Sequence, residues 1–126
     1  MVKHFEELRA WQQGFEAAMK IFELSRQWPG DERYSLTDQV RRSSRSVCAN
    51  IAEAWRKRRY PSHFVSKLSD ADTEAAETQN WLIFAHSCGY LQTPEYDELW
   101  AAYEQIAGGL VNMMSNPDAW CGPSQS

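Results

Sequence analysis

Ser35-Leu36-Thr37-Asp38-Gln39-Val40-Arg41-Arg42-Ser43-Ser44-Arg45-Ser46-Val47-Cys48-Ala49-Asn50-Ile51-Ala52-Glu53-Ala54-Trp55-Arg56-Lys57-Arg58-Arg59-Tyr60 is the stretch on which the fold turns. Leu36, Val40, Ser43, Val47, Ile51 and Ala54 recur at spacings of three and four, which is the inner face of a helix and not the alternation of a strand. Ser35 suits an N-cap, with Asp38 at the third helical position in a short relative of the capping box. The basic run Arg56 to Arg59 then falls in the last turn. Pro61 ends the element, because it disfavours helical geometry at Tyr60 and itself suits the first turn of a new helix.

The same period extends in both directions. Upstream, Leu8, Trp11, Phe15, Ala18 or Met19, and Phe22 predict the inner stripe of a first helix from about Glu6 to Gln27, closed by Trp28-Pro29-Gly30-Asp31. Downstream, Phe64, Leu68, Ala71, Ala75, Thr78, Leu82 and Ala85 form a third stripe, with Gly89 as a left-handed cap after it. Thr93-Pro94 reads as N-cap and first position of a fourth helix, whose stripe is Tyr96, Leu99, Tyr103, Ile106, Leu110 and Met113 and which Asn116-Pro117 closes. Short connections favour antiparallel neighbours. The expected fold is therefore all-α: an antiparallel, up-down-up-down four-helix bundle over residues 1–116, followed by a flexible C-terminal tail over 117–126.

At 126 residues and 14.6 kDa the chain suffices for one domain, and 43% apolar with 24% charged residues is a globular composition. No apolar run approaches the length of a membrane span, and Met1 to Arg9 lacks an apolar secretory core, so cytoplasm is the expected location with no membrane partner. Cys48, Cys88 and Cys121, odd in number and without CxxC spacing, fit unpaired thiols.

Extra apolar positions point to self-association. Ala10, Gly14, Ala17, Ile21 and Leu24 form a second stripe on the first helix, and Trp100, Ala107, Val111 and Met114 add one on the fourth. A single small bundle hides about one stripe per helix, so these faces and the six tryptophans suggest a homo-oligomer, with Ala10, Gly14, Ala17, Ile21, Trp100 and Val111 as its interface.

Chemical constellations are sparse. A di-metal carboxylate bundle needs paired Glu-x-x-His elements, which are absent, and His4, His63 and His86 stand near helix ends. There is no Gly-x-Ser-x-Gly elbow, Cys48 lies mid-helix without a neighbouring histidine, and Gly108-Gly109 suits close helix approach rather than a phosphate loop. No catalytic residue, cofactor or metal is expected, and the chain reads as a non-enzyme.

Charge is unevenly placed. Between Ser35 and Tyr60 seven cations face only Asp38 and Glu53, a local +5 inside a chain of −4, so the remainder carries −9. Arg41, Arg45, Arg56, Lys57, Arg58 and Arg59 are candidate phosphate contacts, with Trp55 and Tyr60 as stacking partners. The competing assignment has the last-turn cations meeting the helix dipole and Arg41, Arg42 and Arg45 pairing with the acidic third and fourth helices. Asn50 and Glu53 beside the inner stripe, together with Glu77 and Arg42, suit a structural polar set. An alternative makes Asn50, Glu53 and Glu77 a small-ligand or enzymatic site between subunits.

Phe5-x-x-Leu8-x-x-Trp11, Trp28-Pro29, Glu32-Arg33-Tyr34-Ser35-Leu36-Thr37, Gln39 with Arg41-Arg42, Ser46, Asn50-Ile51-Ala52-Glu53, Ala71, Glu77 and Gly89-Tyr90 resemble the bacterial four-helix-bundle proteins associated with 23S ribosomal RNA intervening sequences. Ala54 stands where that family usually has glycine, Trp28-Pro29 replaces Phe-Pro, and Thr73-Glu74 replaces a Gly-Ser step. The resemblance implies a homopentameric ring without enzymatic activity, similar to the accessory protein of diversity-generating retroelements, which works with a reverse transcriptase and RNA. The expected function is a homo-oligomeric scaffold or adaptor that binds RNA or a nucleic-acid-processing protein.

Overall fold

Each of the four stripes becomes a long helix. The computed structural model describes residues 1–122, and among these it contains α1 (Arg9–Ser25), α2 (Leu36–Arg56), α3 (Pro61–Ser87), α4 (Thr93–Ser115) and a single-turn α5 (Asp118–Cys121), with no strand. Short 3-10 turns at Phe5–Glu7 and Gly30–Glu32 lead into α1 and α2. No helix of the described residues is long and apolar enough to cross a membrane.

Local chemistry sets the ends. Ser35 is the N-cap of α2 but its hydroxyl makes no capping bond; the Leu36 N–H donates instead to Glu32 Oε1 at 3.4 Å. Pro61 opens α3, where a missing N–H costs nothing. Gly89, at φ 80°, ends it in a Schellman motif: the Tyr90 N–H reaches the Ala85 carbonyl at 2.9 Å and the Gly89 N–H reaches that of His86 at 3.0 Å. The fourth helix starts one residue earlier than the Thr93 cap predicts. Gln92 is the N-cap and forms a capping box with Glu95, which leaves Thr93 and Pro94 inside the first turn.

The four long helices form a four-helix bundle in which α2 packs on α1 and α3, while α4 packs on α3 and α1. Every predicted inner residue of α2 and α3 is buried, as are Leu99, Tyr103, Ile106, Leu110 and Met113 of α4. Ser43 and Thr78, both without exposure, meet across α2 and α3 at 2.8 Å, so each hydroxyl is satisfied within the core.

α1 is rotated relative to its predicted stripe. Ala10, Gly14, Ala17 and Ile21, assigned by sequence to an outer interface, are buried in the core of the single chain. Phe15 and Met19 are exposed, and Trp11 and Phe22 are half-buried. Volume explains the reversal. A Cβ on Gly14 would stand 3.2 Å from Cys48 Sγ and 3.6 Å from Val47 Cγ1, so α1 approaches α2 too closely for bulky side chains at this level.

Gly108 and Gly109 do not support the close approach expected of them. Nothing lies within 4 Å of where their Cβ atoms would be, and both line an open groove with Leu8, Arg9 and Trp120. The C-terminal segment, predicted as a flexible tail, contains α5, and its half-buried Trp120 and Cys121 pack against the core. The rest of that expectation, residues 123–126, lies outside the described residues.

The two kinds of glycine separate under mutation. Gly14→Val is expected to lower unfolding free energy by about 1–3 kcal/mol through overpacking. Gly108→Ala is expected to raise it by roughly 0.5–1 kcal/mol through helix propensity. Urea denaturation followed by circular dichroism measures both, and a stabilised Gly14→Val variant contradicts the packed seam.

Candidate functional site

Rotating α1 places Phe22, the last residue of its aromatic stripe, against the basic side of α2. Phe22 lies beneath three guanidinium groups: Arg41 at 4.8 Å from the ring centroid, with Arg26 and Arg45 each at 5.8 Å. Arg41 is held in place, its Nε donating to Ser25 Oγ at 2.8 Å and Nη2 to the Phe22 carbonyl at 3.5 Å. Partial burial, followed by the repulsion of Arg45 and Arg26, lowers the Arg41 pKa below its ordinary value.

An open hollow of about 450 Å³ lies here, lined by Phe22, Ser25, Arg26, Trp28, Arg33, Thr37 and Arg41. A second hollow adjoins it, sharing Arg33 and Arg41 and adding Tyr34, Asp38, Arg42 and Arg45. Arg33, Arg41 and Arg45 form no ion pair among the described residues, and Arg26 has only Glu23 at 3.7 Å. Arg26 and Arg33 were absent from the candidates read in sequence. The i, i+4 spacing of Phe22 and Arg26 carried a signal; Arg33 carried none, because a turn brings it in.

The other arginines have partners or positions of their own, Arg42 among them although it lines the second hollow. Arg42 pairs with Glu77 and, at 3.5 Å, with Glu74, while the Trp81 indole donates to Glu77 at 3.2 Å. Arg58 folds over Trp55 with its guanidinium 3.5 Å from the ring centroid and donates from Nε to the Trp55 carbonyl at 2.8 Å, occupying the C-terminal end of α2. Arg56, Lys57 and Arg59 are exposed and form no ion pair among the described residues. At 1.5 Å per residue, Arg56 lies about 22 Å along α2 from Arg41. The helix thus carries two basic sites and not one continuous face.

Asn50, Glu53 and Glu77 do not converge within the chain. Asn50 Nδ2 donates to the Ser46 carbonyl and hydroxyl, Glu53 pairs with Lys67 at 2.9 Å, and Glu77 is engaged by Arg42 and Trp81. The levels of Lys67 and Glu77 differ by about 15 Å along α3.

Cys48, half-buried beside Gly14 and the Trp11 carbonyl, is an inert thiol, since burial pushes its pKa up to about 11. All three cysteines are free. Tyr90 donates to Glu32 at 2.9 Å, which ties the turn before α2 to the end of α3 and pushes the phenol up to about 12.

A family model described as 23S rRNA-intervening sequence protein matches residues 6–112. The chain belongs to this family. It is also similar to a crystal structure of a protein of unknown function from the S23 ribosomal protein family of Bacteroides thetaiotaomicron, with TM-score 0.75 and 25% identity over 84% of this chain and 95% of that one. No curated relative matches.

In this member of the 23S rRNA-intervening sequence family, thiol chemistry reports the seam directly. At pH 8 a maleimide is expected to label exposed Cys88 and spare Cys48, which burial keeps protonated. Peptide mass spectrometry checks this, and equal labelling of the two at pH 8 contradicts it.

Proposed function

We propose that the protein is a non-catalytic, self-associating scaffold: an antiparallel, up-down-up-down bundle whose copies close into a ring of five and whose basic surface engages RNA in the cytoplasm. The exposed aromatic ridge of α1 carries the reading. Trp11 and Phe15 stack at 5.2 Å and 10°, Phe15 remains 46% exposed, and Met19 extends the ridge. On α3, Ile83 and 52%-exposed Phe84 make a second apolar patch beside Trp81, and Val111 is exposed on α4. Two different apolar patches per chain suit a head-to-tail interface, the kind that closes a ring when the rotation permits.

Pairs in which the partner's number falls as the residue number rises support the antiparallel order. Gly14 meets Val47, and Ser25 meets Arg41; Ser43 meets Thr78, and Glu53 meets Lys67; Gln79 meets Glu104, and His86 meets Thr93. The unpaired cations Arg41, Arg45, Arg56, Lys57 and Arg59 supply phosphate contacts, and three free thiols suit a reducing compartment. A protonated Cys48 and polar groups that each have separate structural partners support a role other than catalysis.

Light scattering at micromolar concentration is expected to give the mass of five copies of the 14.6 kDa chain. Phe15→Glu is expected to reduce that mass while leaving the helical circular dichroism unchanged. A monomeric wild type removes the scaffold reading. RNA retention should be measurable at low salt, fall steeply as salt is added, and weaken in an Arg56→Ser, Arg59→Ser double variant. Absence of retention at low salt would assign the basic surface to a protein partner.

A further inference from the structure

The hollow between the end of α1 and the start of α2 collects cations with little counter-charge. Arg26, Arg33 and Arg41 line it, and among the described residues the sole carboxylate paired with any of them is Glu23, at 3.7 Å from Arg26. Trp28 also lines it. The Thr37 side chain completes the wall. Three guanidinium groups around one recess repel one another until an anion enters, and guanidinium forks match the oxygens of a phosphoryl group. In the adjoining hollow Tyr34 is 87% exposed, an unusual position for an aromatic ring that is not covered by its own chain.

We propose that this recess binds the terminal phosphate of a nucleotide, with Arg26, Arg33 and Arg41 holding the phosphoryl oxygens and Tyr34 stacking on the base. A volume of about 450 Å³ exceeds the needs of a bare phosphate ion and leaves room for the attached sugar. A dianion is favoured over a carboxylate because three cations converge on one place. The phosphoryl group has two sources with the same chemistry, the 5′ end of an RNA strand and a free mononucleotide. The first rests on the RNA reading above; the second does not.

The full-length chain is titrated at low salt with the same short oligoribonucleotide bearing either a 5′-phosphate or a 5′-hydroxyl, and separately with adenosine 5′-monophosphate and adenosine. The phosphorylated member of at least one pair is expected to bind about tenfold tighter, the preference vanishing in Arg33→Ala and weakening in Arg41→Lys, which keeps charge but loses the fork. Arg33 is exposed and forms no ion pair among the described residues, so Arg33→Ala is expected to keep the fold, which circular dichroism verifies. Preference within the RNA pair assigns a strand end. Preference for the mononucleotide with no RNA binding retains the recess and overturns the RNA reading. Equal binding of both oligoribonucleotides, lost on substituting Arg56 and Arg59 and accompanied by no mononucleotide binding, overturns the recess and leaves the RNA reading intact. Binding of none of the probes overturns both.

Discussion

The close packing of α1 on α2 governs the rest of the molecule. At Gly14 the two helices approach until a single added carbon would press on Cys48 Sγ at 3.2 Å, and Ala10, Ala17 and Ile21 are buried on the same face of α1. Small side chains permit dense packing there, and the dispersion and burial gained along the seam depend on their smallness. Because a helix is a rigid cylinder, choosing that face for the core sends the bulky stripe outward. Trp11, Phe15 and Met19 become a surface ridge, and Phe22 becomes the floor of an arginine cluster.

Charge then divides according to which neighbour each arginine finds. Arg42 points to α3 and meets Glu74 and Glu77; the pair is partly exposed, which keeps its contribution to stability small. Arg41 and Arg45 lie on the α1 side, where Phe22 provides a ring in place of a carboxylate. Arg58 is committed to Trp55 and the end of its own helix. A run that looks uniform in one dimension therefore contains ion-paired, stacked and free cations. Those without an ion pair form two groups, Arg41 with Arg45 and Arg56 with Lys57 and Arg59, about 17 Å apart along the helix at their nearest.

Sequence reading succeeded where one stripe had no rival. On α2 and α3 each inner position is apolar or small, each outer position is mostly polar, and every inner residue is buried. Gly89 and Pro61 marked the ends of α3 because each has a backbone preference that acts locally. On α1 two apolar stripes competed, and hydrophobicity favoured Trp11, Phe15 and Phe22 over Ala10, Gly14 and Ala17. Fit against Val47 and Cys48 decided otherwise. Gly108 was misread for the same reason, since smallness alone does not say whether a neighbour is near. Arg33 entered the recess through a turn geometry that no periodicity encodes.

The four long helices, their approximate limits and the inward faces of α2, α3 and α4 were determined by the order of residues, because the 3.6-residue period and the Pro and Gly breaks act over a few positions. The inward face of α1, the fate of each arginine and the separation of Asn50, Glu53 and Glu77 were decided only by the tertiary structure. Those outcomes depend on interhelical distance and on which side chain arrives from another helix. Volume and counter-charge across a seam are properties of two segments together, and neither segment specifies them alone.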